Sequence, residues 1–271
     1  MRARLYLAAA LGALVFVGTC DAKSTVPPLL FPVVGTVTYH DDFGEPRAGG
    51  LHQGNDLMAT KRAPAVAVED GTVEYWTTSA SAGCMLYLHG ASGTMYEYIH
   101  LNNDLTTGND NNGKCVQGVA YTVPDGAKVV AGEQIAYVGD SGDANGLHAH
   151  LHFEVHPNDG DAVSPFKYLK KATHLLAPMP PIGKQFTLKL TGTVVSWEVD
   201  RLTMRVSSSA AWPSHVKQAK LAQTVTLTLP PTDAPWSFGE NQPVVVWTLP
   251  APGTVAALSG APGQLLVDRV F

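Results

Sequence analysis

Three histidines stand at alternate positions in GLHAHLHFEV, residues 146–155: His148, His150 and His152. In an extended chain, residues i and i+2 point to the same face, about 6–7 Å apart. Three imidazoles would therefore line one side of a strand. In a chain with ten histidines, a lone H-x-H is more often a solvated face than a metal site. A second segment, GGLHQGNDLMA, adds His52 and Asp56. Gly54 and Asn55 disfavour a helix there, so it reads as a loop running into a strand, with His52 and Asp56 on one face. Two imidazoles and one carboxylate suit a tetrahedral zinc and leave the fourth position to water. A third segment, YEYIHLN, puts His100 at the end of an aromatic-rich strand. Alone it is a half-buried strand residue; beside the other two segments it becomes a candidate for proton transfer.

These side chains need a β scaffold, and the flanking sequence predicts one. From Phe31 to about Ala172, short alternating runs are divided by Gly and Asn/Asp turns. PAVAVEDGTVEYW turns at Asp70-Gly71, GCMLYLHG and GTMYEYIHL form a hairpin pair, and AKVVAGEQIAYVGDSG gives two more strand pieces. SPFKYLKKA is the one convincing short helix, with Ser164 as N-cap and Pro165 at its first position. The Pro-rich APMPPIG reads as a semi-rigid linker. Alternation then resumes in about five further strands, which suggests a small barrel or sandwich without a catalytic constellation. Its one histidine, His215, reads as a surface residue. The expected fold class is mainly β. The expected organisation is a signal peptide over 1–22, a linker over 23–30, a domain of short β runs over 31–172, a linker over 173–185 and a small all-β domain over 186–271.

Composition bounds the function. The chain of 271 residues is 45% hydrophobic and 15% charged, which permits ordinary cores. A net charge of −5 gives no basic excess for nucleic acid or an anionic membrane. Arg2 and Arg4, the apolar run Leu5 to Val17 and a small-residue site ending at Ala22 read as an export signal, too short for a membrane span in the mature chain. Cys20 sits in that signal, but Gly18-Thr19 before it matches a lipoprotein cleavage site poorly. Cys84 and Cys115 then remain as an even pair, expected to bridge in an oxidising compartment, periplasmic or extracellular. Such a bridge would pin the polar loop TTGNDNNGKC.

In the order HQGNDLMA, YIHL and HLHFEV, the chain resembles the lysostaphin-type zinc peptidoglycan endopeptidases. FPVVGTVTYHDDFGEPRAGGLHQGNDL, DGAKVVAGEQIAYVGDSG and VSPFKYL extend the likeness over roughly residues 31–172. The resemblance implies a compact antiparallel β domain with a groove, walled in part by TTGNDNNGKC between the strands bearing His100 and the H-x-H. It also implies one zinc held by His52, Asp56 and the second His of the H-x-H pair, with the first His of the pair and the His of YIHL assisting catalysis. Two H-x-H pairs overlap here, and HLHFEV carries the family's continuation. His150 is therefore assigned to catalysis with His100, and His152 to zinc. His148 is a rim group, a substrate contact or without a role. Glu154 either orients a ligand His or is structural, while His40, His89, His156 and His174 have no matching part. The expected function is an exported, monomeric zinc metalloendopeptidase cutting peptide cross-links of bacterial peptidoglycan. The second domain has a possible protein or glycan partner. The alternative is a non-catalytic relative that binds wall or activates another hydrolase.

Overall fold

The computed structural model describes residues 26–76, 79–180 and 183–271. The expected signal peptide, Cys20 and the first residues of the expected 23–30 linker lie outside them. In chain order the first half carries β1 (Pro46–Arg47), β2 (Gly50–Leu51), β3 (Asn55–Met58), β4 (Pro64–Val66), β5 (Gly71–Trp76), β6 (Cys84–Gly90), β7 (Thr94–Leu101), β8 (Lys128–Val129), β9 (Gln134–Tyr137), β10 (His150–Pro157) and α1 (Phe166–Leu169). The second half carries β11 (Gln185–Glu198), β12 (Arg201–Trp212), β13 (Lys217–Ala219), β14 (Thr224–Thr228), β15 (Pro243–Thr248), β16 (Ala251–Pro252), α2 (Val255–Leu258) and β17 (Val267–Val270). The protein is mainly β and its paired strands are antiparallel, as expected. No helix among the described residues is long and apolar enough to cross a membrane.

The first half is built on a six-stranded sheet in the order β3-β10-β7-β6-β5-β8. Period-two patterning sorts its faces. Leu151, Phe153 and Val155 of β10 turn inward with Tyr96 and Tyr98 of β7, and Ala65 of β4 and Ile135 of β9 join the same core. The buried Tyr98 hydroxyl donates to the Val66 carbonyl at 2.9 Å, so its polar end is satisfied. The alternate β10 residues, His150, His152, Glu154 and His156, therefore all take the opposite face.

The second half is a seven-stranded antiparallel sheet, β13-β12-β11-β15-β17, with β14 on β12 and β16 on β11. A bridge between Thr228 and Leu266 brings β14 to the segment entering β17, so the sheet curls back around one core. That core, with Phe186, Leu188 and Met204, also takes in Val34 and Val66 from the first half.

Three local expectations change. Residues 29 and 30 do not behave as linker: Leu29 and Leu30 are buried, and the Leu30 amide donates to the Val68 carbonyl. Within the expected 173–185 linker, Leu175, Leu176 and Ala177 are buried in the second core. Apolar side chains beside a Pro-rich run prefer burial over a free tether. The first helix starts after Pro165, because the Ser164 hydroxyl donates to Asp41 Oδ1 at 3.2 Å and does not cap. A second four-residue helix, α2, is capped by Thr254, whose hydroxyl accepts from the Ala257 amide at 3.1 Å.

Candidate metal centre and groove

Three neighbouring strands set the site. Asp56 on β3 stands directly opposite His152 on β10, which in turn faces Ile99 of β7. His52 reaches the same point from the loop after the β1–β2 hairpin. That loop crosses β10 so closely that a Cβ on Gly54 would lie 2.5 Å from the Phe153 carbonyl oxygen and 2.8 Å from His152 Nε2. Only glycine fits there. His100 arrives by a different device. Between the pairs Leu86–Tyr98 and Cys84–Leu101, β7 spends two residues, Ile99 and His100, where β6 spends one. This bulge puts His100 at φ +61° and re-aims its ring toward the histidine face.

The donor atoms converge. His52 Nε2, Asp56 Oδ1 and His152 Nδ1 form a triangle with edges of 3.1, 3.0 and 2.9 Å. A tetrahedral zinc with ligands near 2.0–2.2 Å has donor–donor edges of about 3.3–3.5 Å, so the triangle fits that ion after opening by a few tenths of an ångström. The far nitrogen of each ring fixes its tautomer. His52 Nδ1–H donates to the Asp42 carbonyl at 2.9 Å, and His152 Nε2–H donates to Glu154 Oε1 at 2.9 Å. Both remaining lone pairs then point at one carboxylate oxygen, an arrangement that a cation resolves. The second Asp56 oxygen is held by the Arg47 guanidinium at 3.3 Å.

His150 and His100 flank the triangle and are locked in the same manner. His150 Nδ1–H donates to the His148 carbonyl and His100 Nδ1–H to the Ser141 carbonyl, each at 2.9 Å. His150 Nε2 is left 3.8 Å from Asp56 Oδ1, and the His100 and His150 rings lie 5.0 Å apart. Burial would raise the Asp56 carboxyl, but hydrogen bonds to His152 and His52 outweigh it and hold the group well below the carboxylate range. Burial, then the His150 and His152 charges, pushes His100 down to about 4, so the ring is neutral at neutral pH and its Nε2 lone pair is free to accept a hydrogen bond. Burial would also lower His152, but Asp56 and Glu154 raise it to about 9 in the metal-free protein. Glu154, against its burial, is held near 2 by His152 and His156.

The groove over these residues is about 730 Å³. Its walls come from the β1–β2 hairpin with Leu51, from Ser81–Ala82, and from the 142–148 segment with Leu147. TTGNDNNGKC does not line it, contrary to expectation, and the β7 and β10 strands adjoin as floor. The loop acts from behind: Asn109 and Asn111 donate to Asn145 Oδ1 at 2.8 and 3.0 Å. Cys84 and Cys115 are bridged, as expected. His148 lies outside β10 and is exposed on the groove rim, and its carbonyl is what orients His150. Sequence reasoning missed Asp42, Arg47 and Asn55. Asn55 Nδ2 donates to Asp42 Oδ1 at 2.6 Å, fixing the carbonyl that holds His52. His89 pairs with Glu74 on the surface, His174 stacks on Phe31 and His215 is exposed, all away from the groove.

Residues 50–165 match the family model of Peptidase family M23. Among solved structures, the chain is similar to the LytM protein of Ruminococcus gnavus (23% identity over 53% of this chain and 59% of that one, TM-score 0.42). It is similar to the catalytic domain of the antimicrobial peptidase lysostaphin from Staphylococcus simulans (25% identity over 49% and 92%, TM-score 0.40). It is also similar to a zinc-containing peptidase from Vibrio cholerae (24% identity over 51% and 39%, TM-score 0.37). The chain thus spans about three fifths of the LytM chain and two fifths of the Vibrio protein. Through residues 50–165, this protein carries a domain of peptidase family M23.

Proposed function

We propose that the protein is an exported, monomeric zinc metalloendopeptidase that hydrolyses peptide cross-links of bacterial peptidoglycan. The observation that carries this reading is the convergence of His52 Nε2, Asp56 Oδ1 and His152 Nδ1, with both ring tautomers fixed, on the floor of an open groove. One zinc held there supplies Lewis acidity to a water and to the scissile carbonyl. The remaining work belongs to the chain. Asp56, kept ionised, balances the cation, and Arg47 holds its outer oxygen. His150 Nε2, facing the site, takes the proton of the attacking water and returns one to the leaving amine. His100, neutral at physiological pH with its Nδ1–H committed to Ser141, accepts a hydrogen bond through Nε2 from the hydroxyl that the water leaves on the tetrahedral carbon. The open groove admits an extended peptide past Leu51 and Leu147. The second half is the candidate contact for a protein or glycan partner. The presence of all three ligands and both assisting histidines speaks against the non-catalytic alternative.

The test is metal content of folded protein. Wild type is expected to hold one zinc per chain, and Asp56→Ala to lose it with the β signature of the fold retained. Stoichiometric zinc in folded Asp56→Ala would overturn the ligand assignment.

A further inference from the structure

The histidine face of β10 continues beyond the proposed ligands into Glu154 and His156. Its ring is buried. His156 Nε2 lies 2.7 Å from Glu154 Oε2, and Nδ1 lies 2.8 Å from the Gly160 carbonyl oxygen. Both partners are acceptors. A neutral imidazole has a single N–H, so serving both requires a hydrogen on each nitrogen and a positive charge. The other Glu154 oxygen accepts from His152 Nε2–H at 2.9 Å. Glu97, opposite Glu154 in the β7–β10 register, places a carboxylate 3.5 Å from His156 Nε2. Tyr87 on β6 stands opposite Glu97. Burial and the Glu154 charge push Glu97 up to about 7.

Glu97, Glu154 and His156 are spaced closely enough to hold a cation of their own. The hydrogen bonding argues otherwise. This group has one imidazole and two carboxylates, so a proton on His156 Nε2 serves the acid groups without a metal, whereas at the first site two ring nitrogens, His52 Nε2 and His152 Nδ1, face each other at 2.9 Å.

We propose that His156 is a positioning residue that pins Glu154, so that the carboxylate holds His152 by its Nε2–H and turns the Nδ1 lone pair onto the metal site. The proposal rests on the zinc assignment above. Without the imidazolium, Glu154 would be a buried carboxylate beside Glu97, a costly arrangement that is relieved by swinging toward solvent. His152 then loses the acceptor that sets its tautomer. Loss of such an outer partner typically weakens metal binding by about 10–100-fold.

The experiment is a double-mutant cycle on the full chain, read as zinc affinity by chelator competition. His156→Leu alone is expected to weaken zinc by about 10–100-fold, and to change it by less than about threefold in a Glu154→Gln background. Equal losses in both backgrounds, or none in the single variant, would overturn the proposal. If His156→Leu does not fold, His156→Gln takes its place in the same cycle; it keeps one donor without the charge, and an intermediate loss is expected. A second readout needs no metal. A slowly exchanging His152 Nε2–H signal in the proton NMR spectrum is expected in wild type and absent in the His156 variant, and its persistence would overturn the pinning. A wild type that shows this signal but takes up no zinc would refute the metal reading and leave the pinning intact.

Discussion

At the scale of residues, the overlapping H-x-H pairs separate by position. His150 is in β10 with its Nε2 toward Asp56, whereas His148 precedes the strand and contributes a carbonyl. Its side chain is dispensable for that. His150→Ala is expected to keep zinc and lose about 10²–10⁴-fold in rate, while His148→Ala keeps the carbonyl and most of the rate. Peptide-cleavage kinetics on both variants decide it, and the reverse ranking would show that the wrong pair was chosen. The side chains expected to act were readable because their types and short spacings narrow the chemistry. Asp42 and the part played by His156 were not readable. Asp42 holds His52 through a main-chain carbonyl that any residue type would offer. The acceptors of His156 acquire meaning only once Glu154 is known to touch His152.

At the scale of elements, alternation announced the strands, but not the bulge that re-aims His100, which depends on pairing with β6. The polar loop also misled. Its Asn and Gly content marked it as a loop and its place between β7 and β10 suggested a wall, yet it braces the 142–148 wall through Asn145. The Cys84–Cys115 bridge closes a separation of 31 residues, worth about 3–4 kcal/mol in the chain-entropy model. Cys84 also ties to the site, since its amide donates to Ser141 Oγ at 2.9 Å and the Ser141 carbonyl holds His100. Reduction with a non-chelating phosphine is expected to expose residues 103–113 to protease and to lower activity several-fold, with zinc retained. Limited proteolysis and metal analysis on one sample check this. Loss of zinc on reduction, or unchanged proteolysis, would contradict it.

At the scale of the molecule, the two halves were expected on either side of a Pro-rich linker, and the shared core could not be seen in the sequence. The backbones of Val34 and Val66 pair within the first half, but their side chains join a core whose members Leu176, Leu188 and others come more than 100 residues later. The Thr36 hydroxyl also donates to the Lys220 carbonyl at 2.7 Å. A fragment ending at residue 172 would bare these apolar side chains. It is expected to melt at least about 4–8 °C below the full chain, the equivalent of about 2 kcal/mol for a protein of this size. Equal melting temperatures in calorimetry would show that the halves are independent. The central claim, zinc-dependent cleavage of wall peptides, is tested most directly by mass spectrometry of soluble fragments released from purified peptidoglycan by the zinc-loaded protein. The account predicts fragments with new peptide amino and carboxyl ends, their glycan strands uncut, and none after the metal is chelated or with His150→Ala. Fragments with new sugar reducing ends, or release that survives chelation, would contradict it.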